Sequence, residues 1–168
     1  MNRRFAPPLL VAMAFVAVGC AESIPVTNTA VQVESLQCDP ASSGERDVAP
    51  LASRVLGVEP LYTHIMTGNN NAEDRVCGAK ILVRPLPNES AEALTRALQC
   101  HSARVLLGRI DASRLPVDPF SLANSWLDID VKAEDGNFAI ELQADTVSKN
   151  LEILARANAF GSAHAKAL

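Results

Sequence analysis

A thiol and an imidazole stand side by side at Cys100 and His101, residue types that bind soft metal ions or supply an activated nucleophile. With His64 they form the ligand set from which a zinc, copper or redox centre would be drawn. Neighbouring helix positions point about 100° apart, so Cys100 and His101 do not easily grip one ion while their helix stays regular. His101 lies among Leu94, Leu98 and Val105, and either a buried histidine hydrogen-bonded to the backbone or one at the edge of the core is expected there; His64 is expected at the surface. Ala97-Leu98-Gln99-Cys100-His101 lacks the first cysteine of a C-x-x-C-H haem attachment, and Met66 is the only methionine beyond the first 19 residues to serve as an axial ligand. Asp128, Asp130 and Glu141 are carboxylates on a predicted open sheet face, where general acid/base work finds no cleft; Lys80, Arg84 and Lys132 are expected to neutralise them. There is no G-x-S-x-G and no histidine placed beside an activated serine. No catalytic residue and no cofactor are assigned.

The elements that must position these groups begin with Ser90 to Gly108. Leu94, Ala97, Leu98, His101 and Val105 share one helix face, Ser90 caps the first turn, and Gly108 offers a stop. Before it, Ala79 to Leu86 reads as a strand. After it, Arg109 to Ser125 is a long connection with Pro116 and Pro119, of a length expected of a functional loop. Trp126 to Ala133 alternates, Asp135-Gly136 marks a tight hairpin, and Phe138 to Ala144 alternates back. A two-residue loop pairs Ala133 with Phe138, Val131 with Ile140 and Ile129 with Leu142 on the inner face. The outer face pairs Lys132 with Ala139, Asp130 with Glu141 and Asp128 with Gln143. Asp145 or Thr146 then caps a last helix with Val147, Leu151, Leu154 and Asn158 on one side, stopped by Gly161. The expected fold is α+β: a β-α-β-β-α layer, like a truncated ferredoxin fold, with both helices on one face of a three-stranded sheet.

Residues 1–19 read as a targeting segment: Arg3 and Arg4, then an apolar run from Leu9 to Val18, too short to span a bilayer. The run ends in Ala17-Val18-Gly19-Cys20, which resembles the bacterial lipobox. The resemblance implies a diacylglyceryl thioether on Cys20, cleavage before it and a further acyl chain, such as palmitate, on the new amino group. Without residues 1–19 the chain has 149 residues, and losing Arg3 and Arg4 takes the formal charge from −4 to −6. An acidic chain is a poor ligand for nucleic acid, so the expected partners are a membrane, through the anchor, and an envelope protein. By the same resemblance to bacterial lipoproteins, in which an Asp after the cysteine marks inner-membrane retention, its absence after Cys20 implies an outer membrane over an inner one, facing the periplasm or the outer surface.

Residues 20–50 are expected as lipid anchor and flexible tether, 51–76 as irregular connection, 77–161 as the compact domain and 162–168 as a flexible tail. The region 77–160, with its capped S-A-E helix, the C-H-x-A-R run at Cys100, His101, Ala103 and Arg104, and the hairpin leading to Phe138, resembles an uncharacterised domain recurring in bacterial lipoproteins. That group brings no known activity. Three cysteines remain once Cys20 is acylated. An oxidising compartment implies one bridge, expected between Cys38 and Cys77 because both lie outside regular structure. The functional expectation is a lipid-anchored envelope protein, a non-catalytic interaction or structural module acting through its 109–125 loop or polar sheet face. The alternative is a metal- or redox-responsive protein using Cys100, His101 and His64.

Overall fold

The computed structural model describes residues 26–39, 48–66, 72–111 and 117–165. In chain order these form α1 (Val26–Gln37), a 3-10 helix (Ala49–Arg54), β1 (Val55–Met66), β2 (Ala72–Val83), α2 (Ala91–Leu106), β3 (Asp128–Glu134), β4 (Asn137–Gln143) and α3 (Val147–Ala165). The targeting segment, Cys20 and the loop at 68–71 lie outside the described residues. The fold is α+β, with a four-stranded antiparallel sheet ordered β1-β2-β4-β3.

The three strands expected from alternation are adjacent, and β4 lies between β2 and β3, antiparallel to both. Every expected hairpin pair is present, from Asp128 opposite Gln143 to Ala133 opposite Phe138. Asp135 and Gly136 both have positive φ, 49° and 76°, as a type I′ turn requires. The inner faces of the sheet place Ile81, Val83, Ile129, Ile140 and Leu142 in one buried cluster with Leu94 and Leu98 of α2 and Ile153, Ala157 and Phe160 of α3. Both helices therefore cover the same face of the sheet.

The fourth strand corrects the expectation of an irregular segment at 51–76. β1 runs unbroken through Pro60 and pairs with β2 from Val55–Val83 to Met66–Ala72. Pro60 is tolerated because β1 is an edge strand and has no second neighbour needing its N–H. β2 likewise begins before the strand foreseen at Ala79. At its bend, Gly78 comes so close to β4 that a Cβ there would stand 2.0 Å from the Leu142 carbonyl oxygen.

α1 corrects the flexible tether. It packs along α2 with Ala30 fully buried, and its Leu36 and Gln37 share a groove with Asp130 and Val131 of β3. A helix of 12 residues is marginal alone in water, so this one depends on its partner.

α3 is present where expected, but it differs in phase and in its end. Asn150, Ile153, Ala157 and Phe160 are its buried residues, whereas Val147 and Leu151 are about half exposed. Asn150 sets this phase: its side chain accepts from the Ala144 N–H (2.7 Å) and donates to the Ala144 carbonyl (3.2 Å). Thr146 caps the helix, accepting from the Lys149 N–H. Gly161 does not stop it. The helix continues to Ala165, through residues expected as tail, and Gly161 is where it passes close over Val55 and Val58 of β1.

Gly78→Ala is expected to destabilise by about 2–3 kcal/mol or more, because β2 and β4 must part to admit the methyl group. Gly136→Val is expected to cost about 1–2 kcal/mol through its positive φ. Denaturant titration of the two variants gives both values; an unchanged midpoint for Gly78→Ala would contradict the close approach.

Candidate functional site

The residues with chemical potential meet at a buried polar centre between α2 and the segment leading to β3. Ser90 builds the first side, capping α2 by accepting from the Ala93 N–H at 3.2 Å. Glu92, in the first turn, is held below its ordinary value by its own backbone N–H and then by Ser90. This capped helix carries His101, fully buried, toward Asp118, 4% exposed. His101 Nε2 donates to Asp118 Oδ2 at 2.7 Å. The same oxygen accepts from Ser121 Oγ at 2.6 Å, and Oδ1 accepts from the Phe120 N–H at 2.9 Å.

The local sequence Asp118-Pro119-Phe120-Ser121 explains the second side. An aspartate followed by proline is a turn former, and its side chain naturally receives the N–H two residues on. That turn drives Phe120 into the core, where its ring meets Phe160 edge-on at 5.5 Å. Leu122 and Leu127 are buried beside it. From α3, Arg156 donates to the Ser121 carbonyl at 3.0 Å and pairs with Glu152. The connection expected to be a functional loop is therefore, over 117–127, largely interior.

A serine, a histidine and an aspartate in contact invite comparison with a nucleophile triad, but the order of the bonds is different. In a triad the imidazole receives the hydroxyl proton. Here serine and histidine both donate to the carboxylate, so the imidazole is not placed as base to Ser121. All three groups are buried. The arrangement performs the work of a buried charge satisfied by three donors, which is structural.

The expected metal set is not assembled. Cys100 is bonded to Cys38, with Cα atoms 5.6 Å apart; His101 faces Asp118; His64, on the exposed far half of β1, pairs with Asp74. Among the described residues no group of three or more His, Cys, Asp or Glu is arranged to hold a metal ion. The Cys38–Cys77 bridge is also corrected. Cys38 follows the last turn of α1, and α1 lies along the flank of α2 where Cys100 projects; Cys77, half-buried in β2, has no bonded partner among the described residues. The expectation failed because it treated residues 20–50 as unstructured, free to follow Cys77.

The outer sheet face carries the expected mixed charge. Lys132 binds Glu141 at 2.6 Å and lies 3.6 Å from Asp130, and Lys80 reaches Glu134 at 2.7 Å. The hydrogen bonds to Glu141 and Glu134 raise these two lysines above their ordinary value. Whatever stability they add is fully present below the ordinary lysine range and is lost as pH rises from there through their raised values. Beside this face an open groove of about 610 Å³ is lined by Leu36, Gln37, Glu92, Arg96, Gln99 and Val131, among others. Comparisons with family models, with curated proteins and with solved structures found no match.

Sequence reasoning placed His101 in or at the edge of the core but missed Asp118, although D-P-F-S was a readable turn signature. Asp118→Ala is expected to cost about 3–5 kcal/mol, as breaking a buried pair does. Ser102, one residue from His101, buries a hydroxyl that has no hydrogen-bond partner among the described residues. Ser102→Ala is therefore expected to stabilise by about 1 kcal/mol. Chemical denaturation of the pair checks the opposite signs; equal losses would contradict this assignment of roles.

Proposed function

We propose that the chain is a lipid-anchored, non-catalytic module of the bacterial cell envelope, held to a membrane by acyl chains on Cys20. The observation that carries this reading is the Cys38–Cys100 bridge, because structural disulfides belong to compartments outside the reducing cytosol. It agrees with the targeting segment and with the lipobox-like Ala17-Val18-Gly19-Cys20. The buried His101–Asp118–Ser121 centre supports a structural rather than a catalytic use of those residues. Interaction with an envelope protein then falls to exposed surfaces, of which the charged sheet face is one.

α1 changes the geometry of anchoring. Only five residues separate Cys20 from Val26 at the start of that helix. At about 3.5 Å per residue the leash spans less than about 25 Å. The folded body would be held close to the headgroups, not at the end of a long spacer. Two or three acyl chains, at about 0.8 kcal/mol per buried CH2, make that attachment stable.

Fractionation tests the proposal. In a bacterial host the native chain is expected in the membrane fraction with an acylated Cys20 as its first residue by mass spectrometry. Cys20→Ala is expected to remain unprocessed or to leave the membrane. A mature N-terminus at any other position would contradict it.

A further inference from the structure

β3 is an edge strand, and among the described residues no strand pairs with its outer side. The tight Asp135-Gly136 turn makes Glu134 and Asn137 a hydrogen-bonded pair, and the alternation of an antiparallel ladder extends this to Lys132, Asp130 and Asp128. Ile129, Val131 and Ala133 must then direct their N–H and C=O groups away from β4. Gln99 agrees, since its Nε2 reaches the Ile129 carbonyl from that side at 3.2 Å. A carbonyl has a second lone pair, so this contact leaves Ile129 able to pair further. Val131 lines the open groove together with Leu36 of α1, an apolar side chain that is 82% exposed. The opposite edge, β1, is blunted by Pro60 and by register irregularities, devices that β3 does not have.

The charges on β3 select what fits. Asp128, Asp130, Lys132 and Glu134 alternate along its outer face. Antiparallel pairing of β3 with a second β3 has one register that matches all seven residues, centred on Val131. In it the outward groups Ile129 and Ala133 of the two copies meet as hydrogen-bonded pairs, and Val131 meets Val131. Asp130 of each copy lies directly opposite Lys132 of the other, twice over. The one like-charge pairing, Asp128 with Glu134, falls at the ends, where Glu134 is already held by Lys80. The groove residues Glu92 and Arg96 bring both signs to the same axis.

We propose that two copies of the chain associate through β3 in antiparallel about a two-fold axis at Val131, extending the sheet to eight strands and covering Leu36. The contact is isologous and closes on itself. It leaves the polar sheet face of both copies pointing the same way. It goes beyond the anchoring reading and does not depend on it: a chain without acyl groups has the same edge.

Cross-linking in cells tests it on the full chain, with Cys77→Ser to remove the free thiol. Val131→Cys puts two sulfurs on a hydrogen-bonded pair with Cα atoms about 5.5 Å apart, within disulfide range. Copper phenanthroline is expected to convert most of this variant to a band at twice the monomer mass on a non-reducing gel. Asp128→Cys, whose counterpart is about 20 Å away along the paired strand, is expected to stay monomeric. In sedimentation, Asp130→Lys is expected to weaken association at least tenfold, and adding Lys132→Asp to restore it. These two positions are exposed, so the charge exchange reports even if Val131→Cys fails to fold. A monomeric native chain, equal cross-linking at both positions, or no restoration by the double exchange would overturn the proposal.

Discussion

One carboxylate, taken out of water and satisfied by three donors, holds the two halves of this fold together. Asp118 receives His101 from α2, and Ser121 and the Phe120 N–H from its own turn. A buried unpaired aspartate is among the costliest groups a protein can carry, so the turn and α2 must come together or neither is stable. Once they do, Phe120, Leu122 and Leu127 occupy the space between α2 and α3. α3 reinforces the same segment through Arg156, which binds the Ser121 carbonyl.

The disulfide acts on another flank of α2. Cys38 and Cys100 are 62 residues apart in sequence, and closing such a loop restricts the unfolded chain by about 4 kcal/mol in the entropic model. Arg104 adds a hydrogen bond to the Asp39 carbonyl at 2.7 Å, next to the bridge. Together they fix a short helix with few apolar contacts of its own. Thus α2 is held by a polar centre on one flank and a covalent clasp about 100° round the helix from it, and the residues that looked most chemical, Cys100 and His101, supply one each.

What the sequence disclosed was local. The hairpin was legible because alternation and an Asp-Gly turn specify each other, and α2 because Ser90, Glu92 and Gly108 signal its ends. What it concealed depended on distant partners. α1 has a weak apolar face and forms against α2; β1 crosses a proline because it is an edge; the bridge follows α1 and could not be placed without it. In α3 the apolar Val147 and Leu151 misled, because Asn150 is buried to satisfy the end of β4. At the candidate centre the apolar neighbours of His101 place it in or at the edge of the core, and it is fully buried, but its partner is the Asp118 carboxylate and not the backbone. Asp118 lay in a stretch whose prolines had been taken only as marks of a loop.

The claim on which the account rests is that residues 117–127 are core, fastened by Asp118. Native-state hydrogen exchange at the Phe120 amide measures this directly. That N–H donates to a buried carboxylate, and the account predicts that it exchanges only through global unfolding, with the same protection as Ile140 at the centre of the sheet. Exchange at the rate of an exposed loop, with Ile140 still protected, would contradict it.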